Sequence, residues 1–210
     1  MVCLLGSIVS PDRCAACDER LGRRALLCGA CAPTVERWDG TGEPWAYGKY
    51  GGALASALLR LKYGSRPDLA GPIGLLVRDA LLSRCDLPSV DVIVPVPVPM
   101  SRLVQRGFNQ AALLARPLAT ALRVPLQARA LGRTEGGWKQ AALGRQERWQ
   151  NLAGAYVVRA PRLVEHRRVL LFDDVSTTGA TLAGCEQALR QAGALDVWKV
   201  VVARAELRGG

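Results

Sequence analysis

The sequence predicts an α/β fold, a mainly parallel sheet flanked by helices, with a small four-cysteine module on its N-terminal side. Three observations carry that expectation. Short β-branched runs alternate with helical patterns from residue 50 onward. A doubled C-x-x-C stands between residues 14 and 31. An apolar run at 169–172 leads into two adjacent carboxylates, a hydroxyl-rich turn and a helical pattern.

The chain has 210 residues, 50% hydrophobic and 22% charged, enough for one core of ordinary size or one core plus a small appendage. Its formal net charge is +10, which predicts an anionic partner. The excess is local. Residues 99–168 hold thirteen cations against three acids, whereas the flanking stretches nearly balance. Arg alternates there with Leu, Ala, Phe and Trp, so the block reads as a folded basic surface rather than a polybasic tail. No apolar run approaches the roughly 18–20 residues that span a bilayer. The start, Met1-Val2-Cys3-Leu4-Leu5-Gly6, lacks a basic region before its apolar residues and reads poorly as a signal peptide. Cytoplasmic location and no membrane insertion are therefore expected.

Cys14-Ala15-Ala16-Cys17 and Cys28-Gly29-Ala30-Cys31 form two matched knuckles. A two-residue spacer turns both thiolates of a knuckle toward one point, and two knuckles complete a tetrahedral zinc site at about 2.3 Å. Four thiolates close the coordination sphere, so the zinc is expected to be structural and to supply the module's folding energy. Residues 1–45 carry five Arg and six acids, which weakens a nucleic-acid reading of the module by itself. Cys3, Cys85 and Cys185 have no partner spacing and are expected to be small buried residues. Asp39-Gly40-Thr41-Gly42-Glu43-Pro44 reads as a linker or turn. The expected domains are thus 1–44 and 45–210.

Trp45–Tyr50 alternates as a strand, and 53–63 and 67–84 carry helical periodicity. Val90–Val96 reads as a buried strand and 109–123 as a helix, with Pro117 predicting a kink or an early stop. Weaker strands are expected at 126–130 and 155–158, followed by a short strand at 169–172, a helix at 181–191 and a last strand at 197–203.

Ligands in parallel sheets bind beyond the carboxyl ends of strands, which points to Asp173-Asp174-Val175-Ser176-Thr177-Thr178-Gly179-Ala180-Thr181. Amides at a helix N-terminus, with the hydroxyls of Thr177, Thr178 and Thr181, suit a phosphate monoester. Gly179 lets the backbone come close to its oxygens. Two carboxylates can accept hydrogen bonds from vicinal sugar hydroxyls, so the ligand that fits is a ribose 5-phosphate. A strand, an Asp-Asp turn and a Thr N-cap would use the same letters without a ligand. Twelve positions in register favour the site.

This segment resembles the 5-phosphoribosyl-1-pyrophosphate (PRPP) binding motif of type I phosphoribosyltransferases. The chain is also similar along most of its length to the ComF (ComFC/GntX-like) family, through the four cysteines, Leu61-Lys62-Tyr63-Gly64, Val94-Pro95-Val96-Pro97, Arg102, Arg106-Gly107-Phe108-Asn109-Gln110, Arg133-Thr134, Gln140, Leu143, Arg148, Asn151 and the Asp-Asp-x-x-Thr-Thr-Gly signature. The resemblance implies a type I phosphoribosyltransferase fold, PRPP and Mg²⁺ as ligands, and an association with competence and DNA uptake. It makes Asp173 and Asp174 the candidate catalytic residues. It also casts Arg102 and Arg106 as diphosphate contacts, and Arg133 and Lys139 as members of a closing loop at roughly 131–148. Solvated surface is the competing reading of these cations, and Asn109 and Gln110 can instead cap the next helix. The single histidine, His166, reads as a surface residue.

Two functions compete. One is an enzyme transferring phosphoribose to a nitrogenous acceptor. The other is a competence accessory protein with PRPP as regulator, its zinc module docking a protein of that machinery or single-stranded DNA. A nucleotide-driven motor fails on the letters, because Gly132 and Gly137 have P-loop spacing but Trp138 precedes Lys139 and no apolar strand leads in.

Overall fold

A computed structural model describes residues 12–22, 25–39, 41–134 and 154–206. Lys139 and most of the expected closing loop, together with Cys3, lie outside the described residues. Four parallel strands form the central sheet in the order β1-β6-β5-β2: β1 is Trp45–Lys49, β2 Val92–Pro95, β5 Arg168–Ser176 and β6 Asp196–Arg204. β3 (Leu131–Arg133) and β4 (Tyr156–Val158) pair antiparallel apart from it. The helices are α1 (Gly52–Tyr63), α2 (Ala70–Leu82), α3 (Met100–Arg106), α4 (Gln110–Leu122) and α5 (Ala180–Gln191). No helix among the described residues is long and apolar enough to cross a membrane.

Side chains alternate across a strand, and β5 sorts its residues between two cores accordingly. Leu170 and Phe172 join Leu58, Leu61, Ile73, Leu114 and Leu118 from α1, α2 and α4. Val169 and Leu171 join Leu182, Cys185 and Leu189 from α5 and Tyr156 from β4. Both faces of the sheet are covered, as the unbroken apolar strands predict.

Several boundaries move, each through a tertiary contact. β5 continues past its apolar run because Asp173, Val175 and Ser176 pair with Val201, Ala203 and Arg204 of β6. The expected strand at 126–130 reduces to a single bridge between Leu126 and Ile93, and the extended segment starts at Leu131. The helical stretch at 67–84 begins as a 3₁₀ turn at Pro67–Leu69, and α2 follows from Ala70. α3 was not expected, since seven residues are too few to show helical periodicity. α4 runs through Pro117 to Leu122 instead of stopping there. The proline is held by packing: a β-carbon on Gly74 of α2 would stand 2.4 Å from the Leu114 carbonyl oxygen and 3.0 Å from Pro117 Cγ. Only glycine lets the helices approach so closely at this point.

The cysteine module lies against the body. Ala15 is fully buried in the α1/α2/α4 core, with Leu26, Leu27 and Val35 packed on it. Arg60 of α1 donates to the Cys14 carbonyl at 3.1 Å and pairs with Asp18, which Arg66 also approaches at 3.5 Å. Thr34 Oγ1 accepts from the Ala53 amide at 2.9 Å, and Trp38 N donates to the Tyr47 carbonyl.

Candidate functional site

Two sites emerge, one built from sulfur and one at the carboxyl edge of β5. The Sγ atoms of Cys14, Cys17, Cys28 and Cys31 all lie within 4.8 Å of one another. Cys17 and Cys28 are 3.7 Å apart. Tetrahedral zinc–sulfur bonds of about 2.3 Å place ligand sulfurs roughly 3.8 Å apart, so the donor set fits that ion. Burial opposes ionisation of the Cys14 thiol, but amide hydrogen bonds from Cys17, Cys28 and Ala16 outweigh it and bring the thiol down to about 6. Cys31 is pushed up to about 12, first by its hydrogen bond with Cys17 and then by burial. One thiolate forms readily while Cys28 and Cys31 resist, which is how a thiol cluster behaves before a cation balances it. Of the other cysteines, Cys185 is buried as expected, whereas Cys85 is exposed on the turn after α2.

At the second site the sequence signature spreads over three local structures. Asp173, Asp174, Val175 and Ser176 lie within β5, Thr177, Thr178 and Gly179 form the turn, and Ala180 and Thr181 open α5. Gly179 has φ of 77°, a left-handed conformation that costs any other L-residue free energy. The first intrahelical bond runs from Ala183 N to the Gly179 carbonyl at 2.9 Å. The amides of Ala180, Thr181 and Leu182 therefore precede the ladder, and Thr177 and Thr178 are exposed beside them. Ala180 N makes only a long contact to Thr178 Oγ1, at 3.4 Å.

The two carboxylates are not equivalent. Asp174 follows Phe172 by two and belongs to the α1/α4 face; Asp173 follows Leu171 by two and belongs to the α5 face. Asp173 Oδ1 accepts from the Asp174 amide at 2.8 Å. Burial first, and the neighbouring Asp174 charge second, push the Asp173 carboxyl well above the usual range. On its side stand Thr181, Tyr156 and Arg133, whose guanidinium lies 5.9 Å from the Tyr156 ring centre. Asp174 is 3% exposed. Its Oδ1 is 3.0 Å from Lys62 Nζ of α1, and its Oδ2 is buried without a hydrogen-bond partner.

The candidate diphosphate residues diverge. Arg102 is exposed on α3. Arg106, one turn later, is half-buried with its guanidinium 4.7 Å over the Tyr63 ring, and its Nη1 is buried and unpartnered. Asn109 caps α4, accepting from the Ala112 amide at 3.3 Å and donating to the Val96 carbonyl at 3.0 Å. Gln110 is 7% exposed, and its Oε1 has no partner. His166 is a surface residue, its side chain 81% exposed. Sequence reasoning gave Lys62 no role. The residue was visible in Leu61-Lys62-Tyr63-Gly64, but its partner lies 112 positions away and only the fold brings them together.

No family model matches the sequence. Among curated proteins the chain is 32% identical over 192 residues to competence protein F of Haemophilus influenzae, covering 88% of this chain and 82% of that one. It is 31% identical over 202 residues to DNA utilization protein YhgH of Escherichia coli, covering 94% and 87%. Among solved structures it resembles the glutamine PRPP amidotransferase of B. subtilis, with a TM-score of 0.46 and 19% identity over 68% of this chain and 30% of that one. An adenine phosphoribosyltransferase from Thermoanaerobacter pseudethanolicus aligns with a TM-score of 0.41 and 13% identity, over 72% and 86% of the two chains.

Proposed function

Because the chain belongs to the family of competence protein F, we propose that it binds PRPP and transfers phosphoribose from it to a nitrogenous acceptor. The observation that carries this reading is the turn from β5 into α5. Amides without a side-chain cap, two exposed threonines and a left-handed glycine follow the two carboxylates closely in the chain. That arrangement suits a phosphate monoester joined to a hydroxylated sugar. Displacement at the anomeric carbon would expel pyrophosphate through a transition state with oxocarbenium character, and fixed cations would stabilise the leaving charge. Arg102 and Arg106 are the proposed contacts for it. Mg²⁺, entering with PRPP, would supply charge neutralisation of the diphosphate. The four thiols would hold one structural zinc.

A second reading rests on the names of the relatives, competence and DNA utilization. In it PRPP is regulatory, and the cysteine module docks a protein of the uptake machinery or single-stranded DNA. Calorimetry with PRPP and Mg²⁺, followed by pyrophosphate release across a panel of nitrogenous bases, separates the two. Binding with turnover supports the transferase, binding without turnover on any base supports the regulatory reading, and no binding by folded, zinc-loaded protein overturns both. Replacing Asp173 and Asp174 together by Ala should abolish PRPP binding while metal content stays unchanged.

A further inference from the structure

We infer that Lys62 is a positioning residue that holds the Asp174 carboxylate for its contact with a sugar hydroxyl. The inference rests on the PRPP reading above and deepens it. Both acids stand in the same motif, yet the fold gives them different neighbours. Asp173 Oδ1 is occupied by the amide of the next residue. Asp174 is held from one side only: Lys62 Nζ takes Oδ1 at 3.0 Å, and Oδ2 stays buried with no donor. A buried carboxylate oxygen without a partner is costly, because it has lost its water and gained nothing. It is stabilised when a ligand brings a donor.

Two further unpartnered polar groups lie on elements near this face. Lys62 is the last cation of α1, its side chain 20% exposed, and Tyr63 beside it carries the Arg106 guanidinium, whose Nη1 also lacks a partner. Gln110 at the start of α4 adds a second unpartnered acceptor, Oε1, at the carboxyl end of β2. Its neighbour Asn109 is tied to the Val96 carbonyl, and the Val96 amide donates to the Phe172 carbonyl of β5 at 2.8 Å. Asp174 Oδ2 and Gln110 Oε1 are thus open acceptors for hydroxyl protons, and Arg106 Nη1 at the end of α3 is an open donor for a hydroxyl oxygen. The ammonium of Lys62 balances the Asp174 charge and fixes which oxygen is left for the ligand. A hydroxyl that donates to Oδ2 then meets a carboxylate that cannot rotate away.

The test compares ribose 5-phosphate with 2-deoxyribose 5-phosphate, which share the phosphate and differ by one hydroxyl. Wild-type protein should bind the ribose form on the order of tenfold more tightly, a difference of about 1.4 kcal/mol. Lys62→Gln should reduce that preference to about twofold or less while affinity for inorganic phosphate holds, and Lys62→Arg should restore most of it. A merely structural role would lower all three affinities together. Retention of the full preference by a folded Lys62→Gln variant overturns the Lys62 inference and leaves the PRPP reading standing. Failure of the wild-type protein to bind either sugar phosphate overturns the PRPP reading itself. Should Lys62→Gln not fold, a crystal structure of wild-type protein with ribose 5-phosphate decides the matter. Lys62 at Oδ1 with a sugar hydroxyl at Oδ2 supports the inference, and a sugar bonded to Asp173 alone overturns it.

Discussion

The cysteine module and the β5–α5 turn are both short, and both were visible as letters, yet they are built in opposite ways. The module converges on itself: four sulfurs come within 4.8 Å, and its apolar residues reach outward into the larger core. The turn opens outward. Thr177 and Thr178 are exposed, and Asp174 is held from behind by Lys62 of a distant helix. A closed donor set completes a fold, whereas an open one waits for a ligand. The contrast says which region should govern stability and which should govern binding.

The largest expected effect comes from breaking the module. Replacing Cys14 and Cys31 by Ser should abolish stoichiometric zinc binding, read by metal analysis. It should also lower the melting temperature of the whole chain by about 10 °C, the scale set by a loss of about 3–5 kcal/mol in a protein of this length. The reason is that Ala15, Leu26 and Leu27 are anchored in the body's core and Arg60 bridges the two parts. A variant that loses zinc but melts unchanged would mean that the module is an appendage, and the contrast would be lost.

An intermediate effect is expected at the turn. Gly179→Ala puts a β-carbon into open space but at φ of 77°, so its cost of about 1–2 kcal/mol is purely conformational. The backbone can relieve that cost by rotating the amides away from the phosphate position. Affinity for inorganic phosphate and PRPP should fall roughly tenfold, while zinc content stays at one per chain and melting shifts by only a few degrees. Equal affinity in the variant would remove the turn from the phosphate site.

The smallest effect belongs to neither region and calibrates both. Asp91 accepts from the Arg168 amide at 2.8 Å and pairs with its guanidinium at 2.7 Å. The guanidinium and then the amide hold its carboxyl far below the usual range. A carboxyl depressed in the folded state contributes stability above its unfolded value, near 3.9, and loses it as pH falls further. Asp91→Asn should therefore melt slightly below wild type at pH 7, and the gap should narrow progressively as pH falls below about 3.9 toward the depressed native value. A gap that persists into acid would show that shape rather than charge is at work there.

How much could be read without the fold follows from the same contrast. Cys14, Cys17, Cys28 and Cys31 were legible because each pair is fixed by a two-residue spacer, and the parallel sheet was legible because buried strands must be apolar along their whole length. The turn proposed to take a phosphate was legible as a turn into a helix because its hydroxyls and glycine are neighbours in the chain. The sorting of Asp173 and Asp174 onto opposite faces was not, because the signature looked like a turn and only pairing with β6 carries the strand to Ser176. Lys62, Gln110 and the buried face of Arg106 were hidden for the same reason: their roles come from packing between α1, α3, α4 and β5. Pro117 misled because its own chemistry argues for a break, whereas α4 runs on to Leu122 with the ring packed near Gly74 of α2.

That last contact makes a statement about descent. Gly74 is locked to the course of α4, since the β-carbon of any other residue there would stand 2.4 Å from the Leu114 carbonyl oxygen, a backbone atom that no substitution removes. In relatives, replacement of the glycine should therefore come with α4 displaced outward, whatever stands at position 117. Position 117 should be the freer of the two, because losing the ring opens space where gaining a side chain at 74 closes it.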